Sequence, residues 1–451
     1  MEEGFRKART HRAENVINLD VISNMFRDIA KVEHYKAFKE TEMDINNLLS
    51  NPELKKAIFD NPKYGRIAYD NIMQWFKDSV KAKQGKILST SDKALMFLRT
   101  SAFISMLGFN VISGTKQLVS LCNAVGLVGL PAVLSGIEQV SLHYNETKQF
   151  VFSKDPQARA RKGIIDRVMQ EWMDTAEAKQ ILKGQTGDIR MKTLFLIRIL
   201  DEYAVLSVWK GTYDSVISTQ KIGGKSIKFT DAADLERQAI EYAAYAIRKT
   251  QPSAIMKDLP QWFRDGTVAK MFSLFQNQVN KNQNFIRDTF RQYKAGKIST
   301  GNLAWRTLWN WFLPAVLIGT ITRGRPPEDW KELAKDIGTY YIGGWFFVGS
   351  IVTNIMQGYG GWMPAPLSFG EEFVKAATYK TWESRFKHAI SGICKVIGLP
   401  FNQPYRTIEG VDDWLQGETE DARRLIWSKY VLEQGKKKEE AEPTKFKKPD
   451  I

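Results

Sequence analysis

The sequence predicts an all-α fold: an elongated multi-helix assembly with apolar helical hairpins and at most one short β-hairpin, around residues 216–229. Three observations predict it. Apolar residues recur at helical spacing through most of the chain. Strand-like patterning is confined to one glycine-centred stretch. Charge, 25% of all residues, vanishes from long stretches that must lie in a core or a bilayer.

The elements follow in order. Asp20 to Phe38 places Val21, Ile22, Met25, Ile29 and Val32 on one helical stripe. Ser50 to Glu53 has the form of a capping box, with Pro52 in the first turn, and predicts a helix to Asp60. Tyr64 to Lys83 is a further helix, with Ile67, Ile72, Trp75, Phe76 and Val80 as its buried stripe. Ser91 to Met106 leads into the apolar run Leu118–Ile137, loosened by Gly126 and Gly129 and followed closely by the basic helix that Asp155-Pro156 opens toward Leu182. Ile189 to Ser218 reads as a longer helix. Val216-Ile217 and Ser226–Phe229, around Gly223-Gly224, read as the two strands of the hairpin. Thr230 is the expected cap of a helix from Asp231 to Lys249, which Gln251-Pro252 ends.

From Gly266 to Tyr293 an apolar helical set is interleaved with the amides Gln276, Asn277, Gln278, Asn280, Asn282, Gln283 and Asn284. The amides read as a solvated face, with an interhelical amide interface as the alternative. Thr307–Thr322, flanked by Arg306 and Arg323, and Ile337–Gly370 carry no charge. Thr307–Thr322 and Ile337–Ile355 are expected to pair as a hairpin able to enter a bilayer, or as a soluble core hairpin. The first arm is 16 residues, or roughly 24 Å at the helical rise, slightly short of a hydrocarbon core. Pro314 should kink it. Helices are expected over Phe369–Thr378, Trp382–Val396 and Val411–Leu432, and the Lys/Glu/Pro tail after Glu433 should be disordered. The implied organisation is 1–90 amphipathic helices, 91–150 an apolar glycine-rich block, 151–300 a central helical region with the β-hairpin, 301–370 the membrane-inserting hairpin, 371–432 C-terminal helices and 433–451 the charged tail.

Bulk properties bound the function. A length of 451 residues suits two to four domains. A mean hydropathy of −0.33 excludes a polytopic transporter, so any membrane contact belongs to a minority of segments. The net charge of +15 suits nucleic acid or an anionic membrane surface, or serves solubility alone. Cys122 and Cys394 lie far apart in apolar contexts and read as buried thiols of a reducing compartment. Met1–Lys7 is polar with no apolar run behind it, so no export signal is expected.

Catalytic signatures fail one by one. Gly223-Gly224-Lys225-Ser226 ends like a phosphate loop, but Thr219 stands where that loop needs its first glycine. His11, His34, His143 and His388 lack metal-ligand spacing. Trp382-Glu383-Ser384 and Met356-Gln357-Gly358 are similar to segments of lytic transglycosylases, but in reversed order. Glu383 is the residual candidate for a general acid, a role that would need a shielded, concave site. No catalytic residue, metal ligand or cofactor is therefore assigned. The assigned candidates concern association. Trp305, Trp309, Trp311, Tyr340, Tyr341, Trp345, Phe346 and Phe347 are candidates for a membrane-interface belt. Arg159, Arg161, Lys162, Arg323 and Arg325 are candidates for phosphate or headgroup contact.

The order of several stretches carries a resemblance. Arg9–Leu19, Leu107–Leu118, Thr250–Ser253 with Lys270–Phe275, Thr322–Glu328 with the aromatic run after it, and Gly398–Phe401 before Gly410 and Trp414 together span most of the chain. In this order the chain resembles the C-terminal helical region of very large phage and prophage polyvalent proteins, which are packaged in the head and ejected with the genome. The helicase-like, methyltransferase, protease or lytic modules of that family have no counterpart here, so their activities do not carry over. A start inside the shared region suggests a split gene. The resemblance implies a non-enzymatic, virion-internal or ejected protein that associates with the host envelope and aids genome passage. Alternatives are a helical scaffold for a partner polypeptide carrying the enzymatic modules, and a soluble protein binding DNA without sequence preference. Expected partners are a membrane, DNA, other virion proteins and further copies of the chain. The expected locations are the virion interior and then the host envelope, or the host cytoplasm or membrane when expressed from a prophage.

Overall fold

A computed structural model describes residues 32, 39–40, 42–60, 65–80, 90–160, 192–251, 277–343 and 368–433. The expected tail, the helix over 20–38 save a few positions, and most of the second arm of the apolar hairpin lie outside them. The described chain is mostly helical with one two-stranded antiparallel hairpin, the predicted fold class. Contacts divide it into two units, residues 1–89 with 255–264, and residues 90–254 with 265–451.

In the first unit, α1 (Pro52–Phe59) begins at Asn51, whose Oδ1 accepts from the backbone N–H of Glu53 at 2.8 Å and of Leu54 at 3.3 Å. The cap is therefore Asn51 and not Ser50: the amide oxygen reaches the N2 and N3 donors with Pro52 at the first position. α2 (Gly65–Val80) packs beside α1 through an edge-on contact of Phe59 and Tyr69, and the Tyr69 hydroxyl donates to the Leu49 carbonyl.

The second unit starts with α3 (Thr90–Leu107), α4 (Val111–Leu118), α5 (Ser120–Val128), α6 (Leu130–Leu142) and α7 (Tyr144–Lys154). The short α8 (Pro156–Ala160) follows, with Asp155 accepting from the Ala158 N–H as predicted. Its organising element is α9 (Phe195–Thr219), on which every residue from Ala204 to Trp209 is buried. A helix apolar all round belongs inside. α6 and α9 cross with backbones in contact: a Cβ on Gly136 would fall on the Ser207 carbonyl, and one on Gly211 on the Ala132 carbonyl. Small residues four apart on both helices, Ala132 and Gly136 against Ser207 and Gly211, make that approach sterically available. Trp209 anchors the core, stacked on Tyr213 at 5.2 Å, and its indole N–H donates to Asp155 at 2.9 Å.

The β-hairpin is displaced from its expected first strand. Val216-Ile217 complete α9; β1 (Lys221–Ile222) and β2 (Lys225–Ser226) pair around Gly223-Gly224. Both glycines are left-handed, φ 59 and 80, the conformation a two-residue type I′ turn requires. Lys225 of the phosphate-loop-like string is thus a strand residue. α10 (Ala232–Thr250) is capped by Asp231, one residue after the expected Thr230, because the carboxylate accepts from Asp234 N–H at 2.7 Å.

α11 (Asn277–Lys294) and α12 (Thr300–Thr307) lead into a π-helical turn, Leu308–Phe312, then α13 (Leu313–Arg323) and α14 (Trp330–Ile342). The π-turn is the answer to Pro314: the ring has no N–H to give residue 310 and crowds its carbonyl, so the preceding turn widens. α14 begins earlier than the uncharged segment and brings Lys331, Glu332, Lys335 and Asp336 into the second arm. α15 (Ser368–Thr378), α16 (Trp382–Ile397) and α17 (Asn402–Leu415) close the unit. The single helix expected over 411–432 is instead broken: Glu418 N–H bonds the Asp413 carbonyl at 2.8 Å, ending α17, and a 3₁₀ turn, Ala422–Leu425, follows.

Candidate functional site

The aromatic candidates converge on one seam where α5, α11, α12, the π-turn and α14 meet. α5 supplies Asn123 and Gly126. An amide inside an apolar run signals a buried partner, a signal that helical periodicity alone passes over. Asn123 Nδ2 donates to Asn282 Oδ1 at 2.6 Å, and Asn282 Nδ2 donates to the Tyr340 hydroxyl. One amide thereby ties α11 to both α5 and α14. Gln283 adds a 2.8 Å bond to the Tyr341 carbonyl. At Asn282 and Gln283, then, the amide run is interhelical and not merely solvated. Asn282 is buried because it shares its stripe with Phe285 and Thr289, the positions that meet the core.

The π-turn shapes the other side. It turns Asn310 inward against Gly126, where it donates to the Arg306 carbonyl at 2.8 Å. Trp305 and Trp309 lie 5.5 Å apart, and the Trp305 indole donates to the Val125 carbonyl at 3.4 Å. Trp311 and Tyr341 pair at 5.6 Å. Asn123 Oδ1, Asn310 Oδ1 and the indole nitrogens of Trp309 and Trp311 are buried here without a hydrogen-bond partner. Burying such atoms unpaired is costly, about 1–3 kcal/mol each, so the seam is polar inside and under-satisfied. Its outer side is apolar: Trp305, Leu308, Phe312 and Leu317 are 38–40% exposed along the uncharged arm. Trp345, Phe346 and Phe347 lie outside the described residues.

The basic candidates separate. Arg323 grips Asp336 with both guanidinium nitrogens, and Arg325 grips Glu332 at 2.9 and 3.0 Å. These forks clasp α13 to α14, so both arginines already hold carboxylates where a phosphate was expected. Burial alone would raise the Glu332 carboxyl; the Arg325 fork, the Glu328 N–H and the charges of Arg325 and Arg323 override it and hold it at about 2. Arg159 is exposed on α8 and remains open to solvent, while Arg161 and Lys162 lie outside the described residues. Arg423 donates to the Gly324 carbonyl at 3.0 Å and the Trp427 indole to the Ile321 carbonyl, so the residues after α17 cover the C-terminal end of α13.

The candidates for chemistry are placed as follows. Glu383 is exposed in the first turn of α16, without the shielding a general acid would need. His388 lies 2.7 Å from Glu372, which also takes Lys395 at 2.7 Å; burial would raise the Glu372 carboxyl, but these cations hold it below its ordinary value. Among the described residues no group of three His, Cys, Asp or Glu side chains is placed to hold a metal ion. One helical stretch there, Val111–Val128, which runs through α4 and α5, is long and apolar enough to cross a membrane, and it is about half buried against its neighbours. Comparison of the chain with known protein families, with curated proteins and with solved structures finds no match.

Proposed function

We propose that this chain is a non-enzymatic structural protein of phage type, carried inside the virion or ejected from it, that associates with the host membrane and aids passage of the genome across the envelope. The observation that carries the membrane part is the open apolar stripe Trp305, Leu308, Phe312 and Leu317 on an arm without charge from Thr307 to Thr322. Monomeric soluble proteins rarely leave such a stripe uncovered beside tryptophans suited to the headgroup region. The under-satisfied amides behind it favour a change of surroundings, since a rearrangement at the bilayer surface would give them partners. The half-buried stretch Val111–Val128, which touches the same seam through α5, is the second segment with the length to enter. The phage part rests on the ordered resemblance described above.

Two experiments test the proposal. Mass spectrometry of purified virions should detect the chain; its absence from virions removes the virion-internal role. Liposome flotation should carry the full chain upward, and Leu308→Asp with Leu317→Asp should leave it at the bottom of the gradient. Wild-type protein that stays at the bottom with neutral and with anionic lipid alike sinks the membrane role.

A further inference from the structure

Residues 368–433 are arranged with polarity reversed. Glu371, Lys395, Gln403 and Arg424 are buried, whereas Trp382, Phe386 and Ile393 on α16 and Ile408, Val411 and Leu415 on α17 are 40–78% exposed. The buried charges are paired inside: Lys395 with Glu372 and Arg424 with Asp413. The exposed residues form a stripe on each helix, within about 60° of one another at 100° per residue. α16 and α17 touch through Lys387 and Ser391 on one side and Asn402, Tyr405 and Glu409 on the other, a pairing that makes them antiparallel. On each helix the stripe lies roughly a third of a turn before the contact side. In an antiparallel pair that equal offset brings both stripes to the same side. The result is one apolar face spread over two adjacent helices, backed by α15 on one flank and the 3₁₀ turn on the other.

We propose that this face is covered by the same face of a second copy of the chain, two helix pairs closing into a four-helix bundle across a two-fold axis. The area is right: these side chains leave on the order of 700 Å² of apolar surface open, near the roughly 800 Å² that each partner buries in a standard-size interface. The charges disfavour a bilayer as occupant. The ionisable groups between the two stripes are the carboxylates Glu383 and Asp412, which repel anionic headgroups. The nearby cations Lys387, Lys395 and Arg424 are engaged by Glu409, Glu372 and Asp413, and Arg385 on the outer edge donates to the Tyr379 carbonyl at 2.6 Å. This surface is distinct from the arm assigned to the membrane, and its test needs no lipid.

Sedimentation of the full chain without lipid should give a dimer at micromolar concentration. Leu415→Asp on α17 and Trp382→Glu on α16 should each shift it to monomer with unchanged circular dichroism. Leu48→Asp, an exposed apolar position in the other unit, should leave the dimer intact. Cross-linking of mixed light and heavy wild-type protein should link Lys380, two residues before the face, between copies, a readout that needs no variant. A monomeric wild type overturns the proposal. So does a dimer that survives both substitutions, inter-copy links confined to other regions, or vesicle binding by a monomer that Leu415→Asp abolishes.

Discussion

Gly136 and Gly211 leave room for a hydrogen and nothing larger, because each sits on the other helix's backbone. Gly211→Ala should therefore cost about 2–3 kcal/mol, read as a lower thermal midpoint, because neither backbone can yield without unpacking Trp209. Gly338 lies mid-helix in α14, and a methyl group there would meet nothing within 4 Å. Gly338→Ala should stabilise the fold by up to about 1 kcal/mol from helix propensity alone, read as a higher midpoint. No pattern in the sequence distinguishes these glycines, since the difference lies in which helix crosses over them. Glu332 makes a second prediction at this scale. Its carboxyl is held at about 2 in the folded chain against an ordinary 4.5. A depressed folded value contributes stability above the ordinary value, and that contribution is lost as pH falls from 4.5 toward 2. Glu332→Gln should melt lower than wild type at neutral pH, and the gap should close across that acid window. A gap that stays constant across the whole window would show that the Arg325 fork has no such role.

At the scale of elements, the Asn123–Asn282–Tyr340 chain ties three helices together through one buried amide. Asn282→Ala should cost about 2–3 kcal/mol, since it leaves Asn123 and the Tyr340 hydroxyl unpaired as well as losing the bonds. The double variant Asn123→Ala with Asn282→Ala should cost clearly less than the two single effects summed, because the second substitution removes an atom already orphaned. Additive costs would mean the bond contributes nothing. Helical periodicity located α3, α15 and α16 within a residue or two, and it identified α14's apolar content. It did not separate Asn282 from Asn280 or Asn284, because all are equally polar and only their angular position against Phe285 sends one inward. The π-turn was legible in part: Pro314 announces a distortion, while its form depends on Asn310 finding space over Gly126. The break after Leu415 escaped the pattern because apolar residues continue past it at near-helical spacing.

At the scale of the whole molecule, the net charge of +15 predicts that binding to DNA or to anionic vesicles weakens steeply as salt rises from low to moderate concentration. Arg323→Gln should leave that salt slope unchanged, because its guanidinium is already held by Asp336. A reduced slope in that variant would mean that the fork opens to receive phosphate. Composition and periodicity by themselves determined the all-α class, the single glycine-turned hairpin, the apolar blocks and most helix limits, because these depend on local spacing and on backbone groups satisfied within one segment. Only the tertiary structure decided which side chains those blocks present outward. Arg323 and Arg325 became clasps once α14 brought Asp336 and Glu332 alongside. The apolar stripes of α16 and α17 became one face once the helices packed antiparallel. Both outcomes depend on contacts between residues distant in sequence or on the relative direction of two helices, and the periodicity of a single helix contains neither.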